Sequence, residues 1–471
     1  MSSIAFEQTI EIRRPLRYVY DYLLDFSNAL AWDPSVVQAT RTTPGPIQVG
    51  SHFDIRVRFA WMELGLNYHI TAMMPPHSIE LKGLADSYSI VDRMRLEGDD
   101  ERCLLHYQID VFYNEPMAKL APVFAPLVKS NARTALDSLK KTLEGEPTQW
   151  EAGLWTKLAD RLVLPGVLRF TRLGYANSKA RWTGITEDLR EKTILITGAT
   201  SGIGAAAAHQ LGRLGARLIL VARNARKAEQ FVEQIAPDCP VRPRIELADL
   251  SLIKDVNALC DRLLAQDEAI HVLINNAGAL FNQRTVTAEG LEQSFATLLL
   301  SPFVLSERLQ PLLKRGAPSR VINVSSGGMY TQGLRIDDLE SEREDYNGSK
   351  AYARAKRGLV DMTETWAETW AADGVRVHAM HPGWADTPAV STSLPKFYET
   401  TKAWLRTPEQ GADTIVWLAA AREIDAVTGL FWLDRTPHST AIFPGTRSDR
   451  TLQRNLYKKL KEYQHKLSGG A

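Results

Sequence analysis

A chain of 471 residues, 44% apolar and 24% charged, is long enough for more than one folded core and too apolar to be mostly disordered. Lys plus Arg number 56 and Asp plus Glu 55, a net charge of +1, so no global field argues for nucleic acid as a partner. Cys103, Cys239 and Cys260 are too widely spaced for a metal pattern or a disulfide framework, which favours a reducing, cytosolic compartment; no apolar run reaches the ~18–20 residues that span a bilayer, and the first residues lack a signal-peptide pattern.

From Phe6 to about Phe112 the dominant period is two. Phe53, Ile55, Val57, Phe59 and Trp61 alternate with polar residues, as do Leu105, Tyr107, Ile109 and Val111, which predicts antiparallel strands with one wet face. Between Pro15 and Ala31 the apolar spacing turns helical (Tyr18, Tyr22, Leu23, Phe26), after a proline suited to a helix start. A long helix is expected from about Met117 to Leu143, with a break near Pro122 or Pro126. The order is strand, helix, several strands, long helix. With Val19-Tyr20-Asp21-Tyr22-Leu23-Leu24-Asp25-Phe26, Trp32-Asp33-Pro34 and Gly50-Ser51-His52-Phe53, it resembles the α+β helix-grip fold of START-like and polyketide-cyclase-like proteins, the SRPBCC superfamily. That resemblance implies a curved sheet around the long helix and an apolar interior, either filled or holding a lipid-like ligand. His52, His69, His77 and His106 have no metal-ligand spacing, and the residues show no acid–base constellation in this region.

Residues 146–190 read as a connector. Between Trp155 and Trp182 it carries Lys157, Arg161, Arg169, Arg172, Lys179 and Arg181 against a single acid, Asp160. Two readings stand: packing against the following domain, or peripheral contact with an anionic membrane surface.

From Lys192 onward, short apolar runs (Thr193–Thr197, Arg217–Val221, Val272–Ile274, Val321–Val324) alternate with helical patterns, the signature of βαβ units on a buried parallel sheet. Gly198, Thr200, Ser201, Gly202, Ile203 and Gly204 lie between a strand and an Ala-rich helix, where a pyrophosphate needs close backbone approach and free helix-start amides. The spacing Gly-x-x-x-Gly-x-Gly, with Asn275-Asn276-Ala277-Gly278, Asn323-Val324-Ser325-Ser326 and His381-Pro382-Gly383 in order, resembles the short-chain dehydrogenase/reductase (SDR) family. Val377–Pro388, Gln410–Thr414 and Leu168–Tyr175 are similar to its SDR family member 12-like subgroup. The resemblance implies a Rossmann-type doubly wound sheet over 191–471, after a helix-grip domain at 1–145. It implies that Asp249 and Leu250 meet the adenine, and that Asn276, Ala277, Gly278, Pro382, Gly383 and Thr387 line the cofactor groove. Arg223 and Asn224 follow the second strand, where an NAD enzyme would place an acid; a cation there suits the 2′-phosphate, so NADP(H) is preferred to NAD(H).

The chemistry calls for a Tyr with a Lys four residues later, on one helix face, the ammonium lowering the phenol pKa. Two pairs qualify, Tyr346/Lys350 and Tyr352/Lys356. In retinol-dehydrogenase-like members the Pro-Gly motif follows the catalytic Tyr by about thirty residues; Tyr352 is thirty residues from Pro382 and Tyr346 thirty-six. One and a half helical turns cannot be absorbed, so Tyr352 and Lys356 are the expected pair, Tyr346 a rim or structural residue, and Ser326 the carbonyl-orienting hydroxyl. One departure stands out. Leu298 occupies the place of a family Asn that holds a proton-relaying water, which implies slower chemistry, a substitute relay, or cofactor binding without turnover.

The tail, Arg450–Lys466 with Leu452, Leu456, Leu460 and Tyr463, predicts a basic amphipathic helix that closes the substrate side or supports a homo-oligomer. The expected activity is NADP(H)-dependent oxidoreduction of an apolar carbonyl or alcohol, with a lipid-type ligand in the N-terminal domain. The alternative is a sensor of NADP(H) and lipid without turnover.

Overall fold

The computed structural model describes residues 2–59, 62–85, 88–113, 121–144, 167–180, 182, 184–443 and 445–467. The chain divides into two compact units, Met1–Asp160 and Arg161–Ala471.

The first unit is an antiparallel sheet of β1 (Ser2–Ile12), β2 (Val36–Arg41), β3 (His52–Phe59), β4 (Met62–Met74), β5 (Ser78–Leu84), β6 (Tyr88–Gly98) and β7 (Cys103–Tyr113), in the order β1-β7-β6-β5-β4-β3-β2. Period two places Phe53 and Ile55 of β3, Leu66, Tyr68 and Ile70 of β4 and Leu105 and Tyr107 of β7 on the buried face. Trp61 lies outside the described residues. The expected helix between Pro15 and Ala31 is two pieces, α1 (Leu16–Leu24) and α2 (Ala29–Trp32). Asp25 turns the backbone extended between them and accepts from the Ser27 amide, starting a tighter turn. Long helix α3 runs Ala121–Glu144 and has no break at either proline; Pro122 falls in its first turn, where the missing N–H has no intrahelical partner to lose. Leu136, Leu139 and Leu143 of α3 are buried. Its end is fastened to the end of β1, where Arg14 Nε donates to the Leu143 carbonyl (2.7 Å) and Arg13 pairs with Glu144 (3.2 Å).

The second unit is an eight-stranded sheet: β8 (Thr193–Thr197), β9 (Arg217–Ala222), β10 (Arg244–Leu247), β11 (Val272–Asn275), β12 (Ser319–Val324), β13 (Val375–Met380), β14 (Phe431–Leu433) and β15 (Thr436–His438), ordered β10-β9-β8-β11-β12-β13-β14-β15. All pairings are parallel except β14 with β15. The order reverses between β8 and β11, and this places the ligand crevice at the carboxyl ends of those strands. Three helices carry the site: α5 (Gly202–Arg213), α8 (Ser301–Arg315) and α9 (Gly348–Trp370). Helix α4 (Arg172–Lys179) precedes them, and α6 (Ala225–Ile235) and α7 (Ile253–Gln266) lie between α5 and α8 in sequence.

Beyond α9, α10 (Pro388–Ser393), α11 (Pro395–Thr401) and α12 (Pro408–Ala420) precede the tail helix α13 (Arg450–Leu467). Helix α13 is part of the core: Leu456 and Leu460 are fully buried, Tyr463 meets Phe295 edge-on at 4.9 Å, and Tyr457 donates to Glu307 (3.0 Å). The described end of the connector is bound into this unit. Tyr175 donates to Asp413 (3.3 Å), the Trp384 amide donates to the Phe170 carbonyl (2.8 Å), and the Arg435 guanidinium lies 4.5 Å from the centre of the Trp182 ring. The remainder of the connector, residues 146–166 with 181 and 183, lies outside the described residues.

Candidate active site

The glycine loop leaves β8 with Gly198 at φ +65° and Gly202 at φ +55°, left-handed positions that suit glycine. A Cβ on Gly204 would stand 2.3 Å from the Gly198 carbonyl and 2.4 Å from Asn276 Nδ2, so only a bare backbone lets α5 start this close to the strand. Asn276 donates through its side chain to the carbonyls of Thr197 (2.9 Å) and Gly198 (3.2 Å), while the Asn276 and Ala277 amides donate to Thr197 Oγ1, each at 3.0 Å. Asn276 therefore acts as the clamp of the loop. Thr200 and Ser201 stand at its tip. Ser201 gives no side-chain cap to the first turn of α5, whose amides are left to a bound anion.

The remaining expected groove residues stand at strand ends and helix starts of the same unit. Arg223 is exposed just beyond β9, and Val221 of that strand accepts from the Gly198 amide (3.2 Å). Asn224 caps α6 through the Lys227 amide (2.9 Å), and Asp249 accepts from Ser251 twice (3.0 and 2.8 Å) with Leu250 beside it. Ile203 packs under Gly411 of α12, and the Thr387 methyl approaches Gly202. The side chains of Asn224, Asp249 and Thr387 thus hold local backbone. These residues fit a dinucleotide: a bare cradle, uncapped helix amides and a cation at the edge.

Ser326, Tyr352 and Lys356 converge at the carboxyl end of β12. Helix α9 starts at Gly348 with Asn347 as its cap (3.0 Å to the Lys350 amide), so Tyr352 and Lys356 stand on one helical face. Lys356 is 3% exposed, and its Nζ donates to the Val324 carbonyl (2.7 Å) and lies 5.9 Å from the Tyr352 ring centre. Burial pulls its pKa down to about 8. The expectation that this ammonium lowers the Tyr352 phenol needs correcting. Burial raises the phenol above its ordinary value, and the Ser326 hydroxyl is the group that draws it back. Ser325, its neighbour, donates to the Lys356 carbonyl (3.1 Å) and fastens strand to helix.

The other pair is placed elsewhere. Tyr346 precedes the helix and donates to Glu292 (2.9 Å), within hydrogen-bond reach of Ser294 Oγ (3.1 Å), while Lys350 is exposed beside Glu344. Leu298 sits in a π turn, Ala296–Leu300, fully buried. A methyl placed on Gly278 would stand 2.9 Å from Leu298 Cδ2 and 3.5 Å from Lys356 Nζ, so an apolar side chain and the ammonium share one wall.

Three further features have no role assigned in the sequence reading. Asn275 donates to Asn323 (2.8 Å), which donates to Thr363 (2.9 Å), a buried polar chain joining β11, β12 and α9. Arg406, 1% exposed, pairs with Asp434 and donates to the carbonyls of Arg169 (2.8 Å) and Phe170 (3.1 Å). His381 is buried against Gly327 and Phe170 (ring centres 4.7 Å), its pKa pushed down to about 3 by burial, hence neutral. A polar residue inside an apolar strand, as in Val321-Ile322-Asn323-Val324, is the signal that could have flagged the first.

A glycine cradle at a strand-order reversal, beside a Ser, Tyr and Lys, defines a dinucleotide-dependent dehydrogenase or reductase domain. Residues 192–396 match the family model described as short chain dehydrogenase, and residues 3–144 that described as polyketide cyclase / dehydrase and lipid transport. The chain is 38% identical over 281 residues to dehydrogenase/reductase SDR family member 12 of Bos taurus, covering 58% of this chain and 87% of that one. It is 37% identical over 287 residues to the Homo sapiens protein of the same name, covering 60% and 90%. It is 36% identical over 269 residues to retinol dehydrogenase 14 of Homo sapiens, covering 52% and 78%. The chain belongs to the short-chain dehydrogenase/reductase family, with an SRPBCC-type domain at its N-terminus. Its cofactor is a nicotinamide dinucleotide.

Proposed function

We propose that the C-terminal domain is an NADP(H)-dependent oxidoreductase acting on an apolar, lipid-like carbonyl or alcohol, and that the N-terminal domain holds that hydrophobic ligand. The observation that carries the reading is the convergence of the Tyr352 phenol, the Ser326 hydroxyl and the buried Lys356 ammonium beside the glycine cradle. The bound nicotinamide supplies or accepts the hydride. Ser326 and Tyr352 hold the substrate oxygen, and Tyr352 passes it a proton as the carbonyl becomes an alcohol. Lys356, its Nζ 5.9 Å from the Tyr352 ring centre and on the Val324 carbonyl, would hold the nicotinamide ribose, while the Ser326 hydroxyl is the group that favours the phenolate left behind. Gly198, Gly202, Gly204 and the first amides of α5 hold the pyrophosphate, Asp249 and Leu250 border the adenine, and Asn276 through Gly278, Pro382, Gly383 and Thr387 frame the rest.

Apolar preference is supported by the aromatic side chains beside the site. Phe170 packs on neutral His381 next to the Ser326 turn, then on Trp384 (5.9 Å), which packs on Phe397 (4.9 Å). A relative whose name is retinol dehydrogenase fits this wall. Preference for NADP(H) rests on Arg223 at the exposed edge of the cradle, where a guanidinium suits a phosphate. Titration with both cofactors tests it. Wild type should bind NADPH at least tenfold more tightly than NADH, and Arg223→Glu should reverse the order; equal binding by wild type contradicts the assignment. A second reading, a sensor without turnover, is favoured by Leu298, an apolar side chain on the Gly278 wall shared with Lys356. Tight NADPH binding with no oxidation of it by any apolar aldehyde or ketone would establish that reading.

A further inference from the structure

On the inner face of the N-terminal sheet one carboxylate is out of place. Tyr88, Ile90, Met94 and Leu96 of β6 alternate onto that face, and Asp92 stands in phase with them, 3% exposed. Its neighbours in register are Leu81 of β5 and Ile109 of β7. One carboxylate oxygen accepts from the Tyr107 phenol (3.0 Å); the other, Oδ2, is buried and has no hydrogen-bond partner. The Tyr68 phenol reaches the same carboxyl as a second hydrogen-bond donor. Aromatic rings wall the place: Phe26 lies 5.0 Å from Tyr68 and 6.4 Å from Phe53, and Trp32 lies 6.5 Å from Tyr107.

A leucine at position 92 would continue this apolar face, at the cost of the partner of the Tyr107 phenol. A buried carboxyl with a free oxygen calls for a partner. The same inner face is incompletely covered, because Ile90 and Ile109 remain partly exposed.

We propose that Asp92, with the Tyr68 and Tyr107 phenols, is a binding site for the single uncharged oxygen, carbonyl or hydroxyl, of an otherwise apolar ligand held inside the N-terminal domain. It rests on the reading that this domain holds an apolar ligand and adds which atom is recognised. Tyr107 fixes one carboxyl oxygen, so the other is left to meet the ligand. Burial pushes the Asp92 carboxyl up to about 7 and both phenols well above their ordinary range, so the phenols stay neutral and the carboxyl, protonated below about pH 7, has a proton for the ligand oxygen while the Tyr107 hydroxyl is given to Asp92. Asp33 and Asp110 add negative charge nearby, so an anionic head group such as a carboxylate is disfavoured. The selected class, an apolar carbonyl or alcohol, is the chemistry on which the second domain is built to act.

The test is equilibrium dialysis of the full chain against naphthalene, 2-naphthol and 2-naphthoate, three probes of one shape. Wild type is expected to bind 2-naphthol at least tenfold more tightly than naphthalene, and 2-naphthoate more weakly than either. Asp92→Leu should bring 2-naphthol to within about twofold of naphthalene while naphthalene binding is retained. Tyr107→Phe, which removes one hydroxyl only, should cut the preference severalfold and decides the matter if Asp92→Leu does not fold. If wild type binds naphthalene and 2-naphthol alike, or the preference survives both substitutions, the polar site is overturned and the apolar-ligand reading stands. If wild type binds no probe, both fall.

Discussion

Burying Lys356 costs the fold stability. A buried ammonium is penalised, and its pKa falls from about 10.5 to about 8. The folded value lies below the unfolded one, so between pH 8 and 10.5 the unfolded chain binds more protons and stability rises with pH. Below pH 8 the penalty is present in full, at most about 3 kcal/mol for a shift of this size. Lys356→Met should therefore raise the urea midpoint at pH 7, abolish turnover, and flatten the rise of stability above pH 8. Asp92 works in the opposite sense. Its folded pKa of about 7 exceeds the ordinary 3.8, so stability present below pH 4 is lost as pH rises through 7. Unfolding curves of Asp92→Asn against wild type should converge at low pH and separate toward neutrality. The sequence shows the two Tyr–Lys pairs but not their surroundings. Lys350 and Lys356 differ in burial, which depends on what α9 packs against.

At the scale of elements, the strands were legible because period two and short apolar runs survive any packing: Thr193–Thr197 is predicted and observed. The π turn at Ala296–Leu300 was not, since nothing in Ala-Thr-Leu-Leu-Leu separates it from an α-helical turn. It buries Leu298 on the Gly278 wall that Lys356 shares, and Leu298→Asn should cost about 1–3 kcal/mol while raising kcat severalfold if a polar relay is what this wall lacks. The turn after β13 depends on a different constraint. Gly383 has φ +76°, and a Cβ there would lie 2.2 Å from Arg406 Nε. Arg406 is held by Asp434 and the 169–170 carbonyls, so it cannot retreat. Gly383→Ala should destabilise the second unit by about 2–3 kcal/mol in denaturant unfolding.

For the whole molecule, the change from period two to alternating strands and helices made two folded regions legible near residues 145 and 190. It left the connector open. Tyr175 and Trp182 find their partners in Asp413 and Arg435, and Arg406 reaches back 236 residues to Phe170; such contacts have no local periodicity to announce them. The tail helix likewise reads as amphipathic from sequence, but its seat on Phe295 and Glu307 is a non-local fact. Calorimetry of the full chain should show NADPH at 100 times its Kd stabilising one unfolding transition by about 2.7 kcal/mol. That transition should be the one Lys356→Met raises; a shift of the other alone would contradict the placement of the cofactor.

The central claim is that Tyr352, with Ser326 and Lys356, performs hydride-coupled proton transfer on an apolar carbonyl. Initial rates of NADPH oxidation with a series of apolar aldehydes and ketones, for wild type, Tyr352→Phe and Tyr346→Phe, test it most directly. Turnover by wild type, a loss of about 10²–10⁴ in kcat for Tyr352→Phe with NADPH binding retained, and near-wild-type rates for Tyr346→Phe are the expected results. Activity that survives Tyr352→Phe and disappears in Tyr346→Phe would contradict it.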